Sequence, residues 1–101
     1  MSILHLVNRS PAGSSALARC VAVLGPDDAL LLIENGVYAA LRQGAGAAVL
    51  SAVTGARLFV LEPHLAERGL SERSLQPEFR RVGFDGFVEL TVACDVIVSW
   101  S

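Results

Sequence analysis

Apolar positions along this chain fall in short uninterrupted runs separated by polar or glycine- and proline-bearing breaks. Ser2 to Val7 is the first run, and Asn8-Arg9-Ser10-Pro11 breaks it, which predicts a buried strand running into a loop. A helix follows. Its start is either Ser10 as cap with Pro11 at the first helical position, or a later one capped by Ser14 or Ser15. Leu17, Cys20, Val21 and Leu24 then fall at i, i+3, i+4 and i+7, one face of a helix that Gly25-Pro26 ends. Ala29 to Ile33 is too short for a helix and suits a strand covered on both sides, with Glu34-Asn35-Gly36 as the turn at its end. Val37 to Leu41 and Ala45 to Val53, interrupted at Gly44 and Gly46, are alanine-rich and predict one broken or two short helices. Arg57 to Leu61 repeats the strand pattern, Glu62-Pro63 marks its exit, and His64 to Arg68 reads as a single helical turn ended by Gly69. Beyond a polar segment reaching Arg81, Val82 to Phe84 predicts a short strand. Asp85 or Gly86 starts a helix through Ala93, and Val96 to Trp100 is the last strand.

Strands that alternate with helices, and that read as apolar runs more than as clean alternation, predict an α/β fold. Its sheet is small, mostly parallel and flanked by helices on both faces. Residues 1–101 are expected to form one domain, since no stretch reads as a linker. A strand as apolar as Val96-Ile97-Val98 is safest when another subunit covers it.

Composition sharpens this picture. A hydrophobic fraction of 52% and a mean hydropathy of +0.51 are high for a domain with so little interior, so part of the apolar surface is expected to meet a partner. No run approaches the roughly 20 residues that span a bilayer, and Met1 to Val7 lacks the basic region of an export signal, so a cytoplasmic location is expected. The formal net charge of -2 gives no broad basic surface for direct nucleic-acid binding. All eight basic residues are Arg, which excludes Schiff-base chemistry and a phosphate-loop lysine. Cys20 and Cys94 are far apart and in no zinc-ligand spacing, so neither a structural metal nor a cofactor is expected.

Candidate chemistry is sparse. Gly44-Ala45-Gly46 opens like a dinucleotide fingerprint, but Val49 stands where the third glycine belongs and the segment follows a helix, so no dinucleotide site is expected there. His5 lies inside a strand and His64 after a proline, with no serine nucleophile placed near either; core or surface roles are expected. Arg68, Arg73, Arg80 and Arg81 are interleaved with Glu67, Glu72 and Glu78, which predicts a solvated mixed-charge face. Cys20 has the one plausible chemical role, because thiolates attack sulfur donors and carry persulfides. Position alone favours an inert core cysteine, since Cys20 lies on the apolar stripe of its helix, although Arg19 beside it would favour a thiolate. Cys94, next to Asp95, reads as structural.

The segments Leu4-His5-Leu6-Val7-Asn8-Arg9-Ser10-Pro11, Leu32-Ile33-Glu34-Asn35-Gly36-Val37-Tyr38-Ala39-Ala40-Leu41, Leu65-Ala66-Glu67-Arg68-Gly69, and Phe84-Asp85-Gly86-Phe87-Val88-Glu89-Leu90 through Trp100 resemble the DsrH/TusB family over nearly the whole chain. Relatives usually carry Glu-Asp-Gly-Val-Tyr where this chain has Glu34-Asn35-Gly36-Val37-Tyr38. The resemblance implies a DsrE-like fold. It also implies a heterohexamer with DsrE/TusD-like and DsrF/TusC-like subunits, which passes persulfide sulfur toward a DsrC/TusE-like carrier. That relay serves either dissimilatory sulfur oxidation or 2-thiolation of the tRNA wobble uridine. Cys20 matches a cysteine of the sulfur-oxidising branch, which makes it a candidate persulfide carrier, and Cys94-Asp95 stands where the tRNA branch tends to carry a histidine. Both lean toward the DsrH form. The chief sulfur-carrying cysteine of the family belongs to the DsrE/TusD subunit.

Three hypotheses follow. The first is a relay subunit with Cys20 as auxiliary carrier. The second is a purely structural subunit, and the two are told apart by whether Cys20 reaches solvent or is sealed in the core. The third is a small-molecule module lined by Glu34, Asn35 and Tyr38, at the strand carboxyl ends where open α/β sheets bind ligands.

Overall fold

Every strand of the sheet runs in the same direction. The computed structural model describes residues 1–101, with strands β1 (Ile3–Val7), β2 (Ala29–Leu32), β3 (Arg57–Leu61), β4 (Phe79–Val82) and β5 (Val96–Trp100). They are arranged in the order β4-β3-β2-β1-β5. All four neighbouring pairs are parallel, as the α/β pattern predicts, and the crossovers carry helices α1 (Ala16–Val23), α2 (Ala45–Leu50), α3 (Glu62–Glu67) and α4 (Phe84–Ala93).

Alternation along the strands divides the core in two. Val7, Leu30, Leu32, Leu58, Val60 and Phe79 face Leu17 and Cys20 of α1, Leu50 of α2 and Leu65 of α3 in a cluster of 15 buried residues. Leu4, Ala29, Leu31 and Leu61 face Leu90 of α4 and Cys94 in a cluster of 6. Helices cover both faces, but the second face has α4 alone. A helix is about 10 Å across and five strands span roughly 20 Å, so one helix leaves part of that face uncovered.

The later of the two possible starts of α1 is the one used. Ser14 Oγ accepts the Ala16 N–H at 3.1 Å, while Ser10 Oγ takes the Ala12 N–H in the turn before it. The segment read as a turn at Glu34-Asn35-Gly36 is already the start of a 3-10 helix over Glu34–Ala40. Gly36 is required there, because a Cβ would lie 2.0 Å from the carbonyl oxygen of Val7. Gly46 is required for the same reason, its Cβ position being 2.5 Å from the Ala39 carbonyl oxygen, so the Gly44-Ala45-Gly46 segment serves close helix packing.

One strand is displaced from its expected position. The sequence pattern points to Val82–Phe84, whereas β4 is Phe79–Val82, with Phe79 paired to Leu58 and plugging the core. Arg80 and Arg81 mask it as a polar stretch; charged side chains are how an edge strand is kept from pairing with a neighbour.

Candidate functional site

The Cys20 thiol lies inside the larger core cluster with no exposed surface. Helix α1 presents Ala16, Leu17 and Cys20 to the sheet, and the i, i+3, i+4 spacing that makes the helix amphipathic is what buries the sulfur. Burial pushes its pKa up to about 12, and the negative charge of Asp28 pushes the same way. At neutral pH the group is a thiol. Arg19 gives it no help: its guanidinium points to solvent, 5.9 Å from the Trp100 ring centroid, and donates to the Ser101 carbonyl at 3.0 Å. By the burial criterion set out above, this placement favours the scaffold reading of Cys20. Cys94 is buried in the smaller cluster on the opposite face of the sheet, so the two sulfurs have no contact with each other.

Beneath α1 the fold assembles a hydrogen-bonded chain that sequence reasoning missed. His5 is almost fully buried, and its Nε2 is 3.0 Å from Asp28 Oδ2. The Trp100 indole N–H donates to His5 Nδ1 at 3.0 Å, and because an indole only donates, Nδ1 accepts. The proton therefore sits on Nε2 and is given to the carboxylate. Asp28 also accepts from the Ile3 N–H at 3.0 Å and the Gly25 N–H at 2.9 Å. Desolvation pushes the Asp28 carboxyl up, but the bonds from Gly25, His5 and Ile3 outweigh it and hold the carboxyl below its ordinary value. A histidine in the middle of an apolar strand was the available signal, since a buried imidazole must find partners. Which partners depended on strand order.

A second polar group forms at the carboxyl ends of the strands. Glu34 adopts φ +50 and its N–H donates to His64 Nδ1 at 2.7 Å, while Arg68 Nε donates to Asn35 Oδ1 at 2.9 Å and Arg68 NH1 to the His64 carbonyl at 3.1 Å. His64 and Arg68 thus tie α3 to the 3-10 helix. Glu34, Asn35 and Tyr38 are exposed there. None of the four surface depressions, the largest about 460 Å³, is lined by these residues or by Cys20. No three His, Cys, Asp or Glu side chains converge to hold a metal ion. The arginine-rich region forms the mixed-charge face expected of it, with Arg81 2.9 Å from Glu62 and Arg68 3.5 Å from Glu67.

Helix α4 adds an apolar surface to these polar ones. Phe84, Val88 and Val92, at i, i+4 and i+8 of α4, are 56%, 61% and 81% exposed, a stripe pointing away from the sheet. No helix is long and apolar enough to cross a membrane.

The comparisons with known proteins agree with this geometry. A family model described as DsrH like protein matches residues 9–96. No curated protein matches the chain. Among solved structures, the crystal structure of the ychN protein from E. coli superposes with a TM-score of 0.77 at 20% identity, covering 98% of each chain. The solution structure of Tm0979 from Thermotoga maritima superposes with a TM-score of 0.67 at 20% identity, covering 92% of this chain and 93% of that one. At such identity the two structures establish the fold.

Proposed function

The chain belongs to the DsrH-like family, and from that premise we propose that it is a structural subunit of a cytoplasmic sulfur-relay complex, one that completes the assembly and shapes its docking surfaces. The observation that carries this reading is the stripe of Phe84, Val88 and Val92. In a family of relay subunits, an apolar helix face left open to solvent is the kind of surface a sister chain covers. The companions of this reading are DsrE/TusD-like and DsrF/TusC-like subunits in a heterohexamer, with a DsrC/TusE-like protein as the carrier that docks on it. The retained Cys20, and Cys94-Asp95 in place of a histidine, support the branch that oxidises sulfur over the branch that thiolates tRNA.

A second reading keeps Cys20 as an auxiliary persulfide carrier, favoured by the presence of the thiol at a position that matches a cysteine of the sulfur-oxidising branch. It requires α1 to lift from the sheet, because the sulfur is sealed beneath it.

Purification from the native cell under mild conditions, followed by treatment of the recovered complex with a persulfide donor and intact-mass measurement, tests both. The structural reading expects two or more companion chains and no mass gain on this one. A sulfur adduct on this chain that disappears in Cys20→Ser establishes the carrier. Recovery of the chain alone rejects the relay reading altogether.

A further inference from the structure

The two edges of the sheet are built differently. At one edge, β4 is four residues long and exposes Arg80 and Arg81, the usual protection against unwanted strand pairing. At the other, β5 is Val96-Ile97-Val98-Ser99-Trp100, without charge, proline or bulge, and Val96 and Ile97 are 39% and 47% exposed. Its sole neighbour in the sheet is β1.

We propose that β5 is a self-association edge, pairing antiparallel with β5 of a second copy of this chain across a two-fold axis, so that two five-stranded sheets become one continuous sheet. Backbone geometry selects the register. The Val96 N–H donates to the Ser2 carbonyl and the Trp100 carbonyl accepts from the Asn8 N–H, so the even-numbered residues of β5 turn their amide groups toward β1. Alternation turns the N–H and C=O of Ile97 and Ser99 outward, where no strand of this chain meets them. An antiparallel partner satisfies all four groups when Ile97 of each copy lies opposite Ser99 of the other, with Val98 facing Val98 at the axis.

Side chains agree with that register. Val96 comes opposite Trp100, a β-branched and aromatic cross-strand pair of the stabilising kind. Asp95 lies just outside the paired strand, its carboxylate held within its own chain by the Ser2 N–H at 2.9 Å. Two copies bring no like charges together within the strand. The inference does not depend on the sulfur-relay reading; in any assembly holding two copies of the chain, the contact lies on its two-fold axis.

Sedimentation of the purified full chain, with two kinds of variant, tests it. The expected result is a dimer whose self-association weakens about tenfold or more in Ile97→Lys and in Ser99→Pro. Ser99→Pro removes an outward N–H that β1 does not use, and both variants are expected to keep the parent's far-UV circular dichroism, which shows that the fold is intact when the dimer is lost. Val98→Cys is expected to give a covalent dimer under mild oxidation, because facing residues of a non-hydrogen-bonded pair are about 4.5 Å apart at Cα, within disulfide reach. Ser99→Cys, offset from its own copy in this register, is expected to give none. A chain that stays monomeric at every soluble concentration overturns the proposal. So does a dimer that neither Ile97→Lys nor Ser99→Pro weakens, or one that cross-links through Ser99→Cys and not through Val98→Cys.

Discussion

His5 and Asp28 stand 23 residues apart in the chain and 3.0 Å apart in the fold, joined by a buried hydrogen bond from imidazole to carboxylate. Trp100 closes the other side of the ring, so one imidazole links β1, the start of β2 and the end of β5. The bond lies within the interior, and its worth is set by what each group would lose if left alone there.

Asp28→Asn is expected to destabilise the protein by about 2–3 kcal/mol at neutral pH, since the single carbonyl of an amide cannot serve the donors of Ile3, Gly25 and His5 together. The folded-state pKa of Asp28 is depressed, so its stabilisation is present above the ordinary carboxylate range, about 4, and is lost as pH falls through the folded value. Urea melts across the acid range check this: the parent loses stability with acid, and the variant shows a flatter limb.

Cys20 titrates in the opposite sense. Its folded pKa, pushed up to about 12 from 9.0, means the contribution is complete below about 9 and is lost as pH rises toward 12. Native protein at neutral pH is expected to leave Cys20 unmodified by a thiol reagent and to modify it fully in denaturant. Rapid native labelling of Cys20, mapped by peptide mass, contradicts the sealed placement.

Val88→Ser with Val92→Ser is expected to change folding stability by less than about 0.5 kcal/mol, because both side chains point to solvent. Co-purification of companion subunits is expected to fall sharply. Retention of the companions at parental levels removes the α4 stripe as the docking face.

Gly36→Ala is expected to cost about 3 kcal/mol, since its methyl group would meet the Val7 backbone oxygen and the 3-10 helix must shift away from β1. A thermal melt reads this directly. Ala at Gly13, where a Cβ meets nothing, is the control and is expected to leave the melt in place.

Local pattern was enough for most of the architecture. Short apolar runs at Ser2–Val7, Ala29–Ile33, Arg57–Leu61 and Val96–Trp100, alternating with helical spacing, identified four strands and the parallel class, because backbone geometry imposes its period on whatever side chains it must bury. The depth of Cys20 was legible in the same way, from its place on the stripe of α1. The position of β4 was hidden, since an edge strand carries Arg80 and Arg81 for protection and its one buried residue is Phe79.

Tertiary structure alone decided what lies next to what. Strand order brought Asp28 and Trp100 to His5, turned Arg19 from Cys20 to Trp100, and set Asp28 where it opposes a thiolate. It also left one helix on the second face of the sheet and made β5 an edge. Periodicity reports whether a side chain is buried in its own element. Its neighbours are fixed by contacts between segments far apart in the chain, and no local period encodes them.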